Sequence, residues 1–233
     1  MQPPPSKSGV GLKQGNCYGL GNNRYLNPEV IRKHIEQHFC PKLESQTRYG
    51  EFWMESFGQT LNEVELSVVW GTGKRPDRHT CIKHLRQVII DGCDNNWYDN
   101  PLNWKGGGRT EGDGAQWSIR PRTDRVPARR ERIADCTYTN TTRGGPFTFR
   151  MAGYGFLDAD NGISLYKEIG KECHMDIEGW QFAYRSDVNR NGTVEWMVEY
   201  SSKMDRTGCA TRAIRTVSGL TDVFCQEKRN AAA

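Results

Sequence analysis

The sequence predicts an α+β protein made of two tandem α/β sandwich units, each closed by two disulfides, and three observations carry that expectation. Eight cysteines divide evenly along the chain, Cys17, Cys40, Cys81 and Cys93 in the first half and Cys136, Cys173, Cys209 and Cys225 in the second. Between the second and third cysteine of each half lies a run that alternates apolar and polar residues, the period-2 signature of a half-buried strand. Helical spacing of apolar residues occurs beside the cysteines in both halves. The length of 233 residues suits two domains of ordinary size. With 36% hydrophobic residues and a mean hydropathy of -0.78, each unit has only a modest apolar core to oppose chain entropy. Covalent cross-links supply what such cores lack.

In the first half the spacing predicts a helix from Asn27-Pro28 through Phe39, closed by Cys40 and Pro41. Asn27 serves as N-cap, and Pro28 sits where a missing N–H costs nothing. Strands follow at Phe52–Phe57 and Val64–Trp70, the second placing Val64, Leu66, Val68 and Trp70 on one face. A second helix opens near Asp77 and carries Cys81, Leu85, Val88 and Ile89 before Gly92-Cys93. Trp117-Ser118-Ile119 supplies a closing strand.

The second half is expected to repeat this order: Cys136, a helix from Gly162 to Cys173, strands at Trp180–Tyr184 and Val194–Tyr200, and a short helix from Cys209 leading to Cys225. Cysteine order, strand phase and helix placement agree between the halves, which points to a duplication. Strand, helix, strand, strand, helix and strand fold as a ferredoxin-like sandwich with both helices on one sheet face. Four cysteines allow three connectivities per unit. If the two helices run parallel, Cys17 reaches Cys81, Cys40 reaches Cys93, Cys136 reaches Cys209 and Cys173 reaches Cys225. The units are expected at residues 15–125 and 133–226, joined by a linker at 126–132.

The absence of any CxxC pair argues against zinc ribbons and thioredoxin-like sites, and an even cysteine count in a small-core chain points to an oxidising, extracellular compartment. The sequons at Asn140 and Asn191 agree with secretion and glycosylation. No apolar stretch approaches the 18 residues of a membrane span.

Arg120, Arg122, Arg125, Arg129, Arg130 and Arg132 crowd the junction of the halves, broken by Pro121 and Pro127. Charge and proline disfavour regular structure there, so the segment reads as a solvated basic connector, or as one whose Arg129-Arg130 pair is cut by a kexin-type protease. The net charge of +4 and pI near 8.6 owe much to these arginines, and six arginines in an irregular connector do not make a nucleic-acid reader.

No catalytic constellation emerges. Asp187–Thr193 resembles half of an EF-hand loop, but Val198 stands where a bidentate glutamate is required, so it reads as a hairpin turn on Asn191-Gly192. Asp158–Gly162 reads as a turn and helix cap. His34 and His38 sit four apart on the first helix without the glutamate placement of a zincin, and read as a solvated face. Among the acidic residues, Glu55, Glu63, Glu65, Asp91 and Asp94 are available for paired-carboxylate chemistry, with nothing in the sequence to fix two of them at the needed separation. The expectation is therefore no metal and no cofactor. Trp97, Tyr98 and Trp104 flank the Gly106–Gly108 turn and are the candidate ligand-binding aromatics.

The stretch Gly92-Cys93-Asp94-Asn95, Asn100-Pro101 and Lys105-Gly106-Gly107 is similar to cysteine-rich modules that accompany killer-toxin-like fungal chitinases. The architecture of both halves resembles the killer-toxin-like class of secreted fungal proteins. That resemblance implies a non-enzymatic toxin or virulence effector that binds a host or competitor protein. The alternative is a carbohydrate-binding module or divergent glycan-active enzyme, with a cell-surface glycan as partner.

Overall fold

The computed structural model describes residues 15–47, 50–71, 73, 75–95, 98–129, 131–140, 145–174, 177–184, 193–203 and 206–228. The first unit runs β1 (Asn16–Cys17), α1 (Pro28–His34), a π-helical turn (Ile35–Phe39), α2 (Cys40–Ser45), β2 (Glu51–Ser56), β3 (Val64–Trp70) and α3 (Arg78–Ile82) with its π-helical continuation (Lys83–Ile90), then β4 (Gly108–Gly112) and β5 (Ala115–Pro121). The second runs β6 (Ile133–Asn140), β7 (Phe147–Tyr154), α4 (Ile163–Cys173), β8 (Glu178–Tyr184), β9 (Trp196–Ser202), α5 (Thr207–Ser218) and β10 (Cys225–Glu227). Each unit has one five-stranded sheet, ordered β1-β4-β5-β3-β2 and β10-β6-β7-β9-β8. The protein is thus α+β, with two tandem disulfide-linked units.

Helix starts follow the caps read from sequence. The Asn27 side chain accepts from the N–H groups of Glu29 and Val30 at 2.9 and 3.3 Å, and Asp77 accepts from Thr80 N–H at 2.8 Å. Ile31, Ile35, Phe39 and Leu43 of the first helix and Leu85 and Ile89 of the second are buried against Val64, Leu66 and Val68, so both helices cover one face of the sheet. The opposite face is open.

The second unit does not repeat the element order of the first. In the first unit the β4–β5 hairpin follows both helices; in the second the hairpin in the equivalent sheet position, β6–β7, precedes them. One unit reads helix, hairpin, helix, hairpin and the other hairpin, helix, hairpin, helix. The edge strand differs accordingly: β1 pairs antiparallel with β4, and β10 pairs parallel with β6.

All eight cysteines form disulfides, but the expected pairing is corrected throughout: Cys17–Cys93, Cys40–Cys81, Cys136–Cys225 and Cys173–Cys209. The expectation failed because the helices of a unit run antiparallel. Between them the chain reverses three times, into β2, into β3 and into the next helix. The contacts record it: Arg32 pairs with Asp91 at 2.7 Å, Glu36 pairs with Arg86, and Cys40 bonds Cys81, so one helix ascends as the other descends. Glu172 meets Arg212 at 2.8 Å beside Cys173–Cys209 in the same way. In the second unit Cys136 and Cys225 are direct neighbours in the sheet. Every bridge closes within its own unit.

The arginine-rich junction is also not the solvated connector that composition suggests. Arg120 lies in β5, and Arg125 and Val126 are both buried. Arg125 donates to Glu195 at 2.8 and 2.7 Å, lies 3.8 Å from Asp158, and stacks over the rings of Tyr25 and Trp104 at 4.3 and 4.5 Å. Tyr25, Trp104, Val126 and Tyr154 form a third core between the two units. Tyr25 donates to the Val126 carbonyl at 2.8 Å, and Asn62 donates to the Asp158 carbonyl at 2.9 Å. A guanidinium tolerates such burial because it is paired bidentately and its faces meet aromatic rings.

Candidate functional site

Strand alternation fixes what the open face of the first sheet presents. On β2, Phe52 and Met54 pack inward, which turns Glu51, Trp53 and Glu55 outward. On β3 the outward residues are Glu65, Ser67 and Val69; on β5 they are Gln116, Ser118 and Arg120; on β4, Arg109 and Glu111. Register aligns them in rows across the strands. Trp53, Ser67, Ser118 and Arg109 form one row, and Glu51, Val69, Gln116 and Glu111 form the next.

Trp53 is 59% exposed on the edge strand β2; Val69 is exposed on the neighbouring strand β3, and Tyr18 is exposed toward the opposite edge. An indole left half in water forgoes on the order of 2–3 kcal/mol of burial, which a covering apolar surface restores. Across the face from the aromatic stands a fixed polar array. Arg109 donates to the Gln116 side-chain carbonyl, and the Gln116 amide donates to Glu111 at 2.9 Å. The Tyr18 hydroxyl lies 3.4 Å from Ser118 Oγ. Arg122 reaches Glu65 at 3.3 Å and Glu55 at 4.0 Å, and Arg120 reaches Glu65 at 3.9 Å. A flat aromatic at one edge of a face of held donors and acceptors suits a ligand with apolar faces and rims of hydroxyls that is long enough to cross several strands.

The second sheet lacks this arrangement. Its open face carries an Arg150–Glu199 pair at 2.5 Å, an exposed Met197, and Thr148 and Ala152. Among the described residues of its strands, the aromatic side chains pack on the helix-covered face, except Tyr154 at the end of β7, which is buried in the core between the units.

The aromatics singled out in the sequence are scattered. Trp104 is only 2% exposed and belongs to the core between the units, so it is not available to a ligand. Tyr98 stands 79% exposed, and Trp97 lies outside the described residues. The glycine-rich stretch beside them is a structural knot. Lys105 is buried and donates to the Cys93 carbonyl and to Asn95, both at 2.8 Å, while Asp94 accepts from Gly106 N–H at 2.9 Å. A Cβ at Gly106 would come within 2.1 Å of the Gly19 carbonyl, so only glycine fits there.

The remaining candidates serve structure as well. Glu55 and Glu65 are cross-strand neighbours held by Arg122, and Asp91 is held by Arg32. His34 is half-buried against Phe57, with ring centroids 4.7 Å apart, and not a fully solvated residue; burial, then the neighbouring His38, lowers its pKa to about 4. Asn140 is exposed at the end of β6, whereas Asn191 and Arg130 lie outside the described residues. The Arg129 N–H donates to the Tyr154 hydroxyl at 2.8 Å.

Sequence reasoning missed Trp53, although the signal was present. Trp53 shares its strand phase with Glu51 and Glu55, opposite Phe52 and Met54, and that pattern marks it as the aromatic facing water.

Residues 13–122 match a family of the fungal lectin type described as "Putative glycan binding domain". The match spans the whole first sheet and both helices that cover it, and ends before the second unit. No curated protein and no solved structure matches the chain. The four disulfides are compatible with an extracellular protein, and among the described residues no helix is long and apolar enough to cross a membrane.

Proposed function

We propose that the protein is a secreted glycan-binding protein whose first unit engages cell-surface carbohydrate through the open face of its sheet. The observation that carries the reading is Trp53, exposed on the edge strand of a polar face within the stretch that matches a glycan-binding family. The apolar C–H face of a pyranose covers the indole, and its rim hydroxyls meet Ser67, Glu55 and Glu65 on the same and the neighbouring strand. Further residues of the glycan extend across the sheet toward Gln116, Arg109 and Glu111. The match favours this reading over a toxin or effector role, which rests on architectural resemblance alone. Tyr98 offers a second stacking position in the same unit.

Titration of the full chain with soluble chitin and plant cell-wall oligosaccharides tests it. Saturable binding is expected, with at least a tenfold loss, about 1.4 kcal/mol, in Trp53→Ala. Near-UV circular dichroism verifies that the variant keeps its tertiary packing. Binding that survives Trp53→Ala unchanged would remove the open face as the site.

A further inference from the structure

A cavity of about 720 Å³ opens at one end of the first sheet, between the end of β3, the β4–β5 turn and the helical segment Lys83–Ile90. Its apolar lining comes from Trp70, Val88 and Ala115. Its polar wall is a built cluster. Lys83 Nζ and His84 Nε2 both meet Asp113 Oδ2, at 2.9 and 2.8 Å. The His84 ring is buried and stacked on Trp117, 5.2 Å between centroids and 6° from parallel, which fixes the orientation of the cluster.

Asp113 and Gly114 form the two-residue turn, with φ of 50° and 77°. A Cβ at Gly71 or Gly114 would meet nothing within 4 Å, so the rim is open backbone. Lys83 carries three protons and Asp113 two oxygens, so both keep hydrogen-bonding capacity beyond the bond they share. The Asp113 carboxylate neutralises Lys83, and Glu111 adds a second carboxylate to the lining. This charge balance disfavours an anion and leaves hydroxyls as the matching partner.

Val69, Glu111 and Gln116 line the cavity and also belong to the open face, in the row next to Trp53. Cavity and face are one continuous surface. We propose that the cavity seats the terminal residue of an uncharged glycan, whose following residues run over Val69 and Gln116 onto the face that carries Trp53. This inference rests on the glycan-binding reading and adds to it a place for the chain end and a ligand class.

The test titrates the full chain with glucose, galactose, mannose and N-acetylglucosamine and their linear tetramers, beside an oligogalacturonate. Neutral tetramers should bind and the polyacid should not. Asp113→Asn should weaken the neutral ligand by roughly tenfold or more, the scale of one charge-assisted hydrogen bond. That variant keeps the fold, because Asn-Gly is itself a preferred pair for this turn. Lys83→Met should show a similar loss. Neutral binding that disappears in Trp53→Ala but persists in Asp113→Asn and Lys83→Met would overturn the cavity while leaving the glycan-binding reading intact. Preference for the polyacid would overturn the ligand class. Failure of every glycan to bind would defeat both.

Discussion

Arg125 and Glu195 form a two-pronged ion pair between the halves of the chain, at 2.8 and 2.7 Å, with neither side chain reaching water. A charge pair so placed binds the units in a way their disulfides do not, since no bridge crosses between them. Its value lies in the difference between a paired and an orphaned buried charge. Replacing one partner, as in Arg125→Met, leaves the Glu195 carboxylate desolvated and should cost about 3–5 kcal/mol in denaturant unfolding. Arg125→Met with Glu195→Gln should recover part of that loss. A single-variant cost below about 1 kcal/mol would mean that water reaches the pair.

The same contact changes what cleavage at Arg129-Arg130 would do. A cut there breaks no disulfide, yet Arg125 and Val126 would remain anchored beside Tyr25, Tyr154 and Glu195. Digestion with a kexin-type protease, if it nicks the chain at this pair, should give two fragments on a denaturing gel that still co-elute on native size exclusion. Separate elution of the halves would show the interface to be weaker than its burial indicates.

His34 sets an acid limit on stability. Its folded pKa, about 4, lies below its ordinary value of 6.5, so the unfolded chain binds the proton first as pH falls. The stabilising contribution is fully present above pH 6.5 and is lost progressively down to pH 4, below which the effect levels off. Thermal melts between pH 7 and 4 should show Tm falling through that window, and His34→Gln should flatten the fall. An unchanged slope in the variant would assign the acid sensitivity to other groups.

Much of the local structure was legible in the chain. Asn27 and Asp77 announce their helices because capping is a short-range matter of side chain and backbone, and Val64–Trp70 announces its strand by alternation. Phe147, Phe149 and Met151 alternate in the same way, yet the run of arginines before them points to an irregular connector and not to the β6–β7 hairpin. The burial of Arg125 is not legible in the sequence because its counter-ion stands 70 residues away, a distance no local pattern spans. The disulfide pairing failed on a single inference, the relative direction of two helices, and that one error propagated to all four bridges. Trp53 is legible from its strand phase, whereas the burial of Trp104 follows only from the fold, because it falls at the meeting of the units.

The sequence positions of the disulfides also determine how the molecule responds to being pulled. Tension entering at Cys17 passes directly to Cys93, and tension entering at Cys225 passes directly to Cys136, so the segments enclosed by those bridges are shielded from force while the sulfurs stay oxidised. The stretch between Cys93 and Cys136 is what a load can extend, and it contains the β4–β5 hairpin and Arg125. Under such a load the molecule would therefore yield first at the clasp between its units and at the β4–β5 hairpin, two of the strands that make the open face. The cross-linked helices behind that face would be the last part to give way.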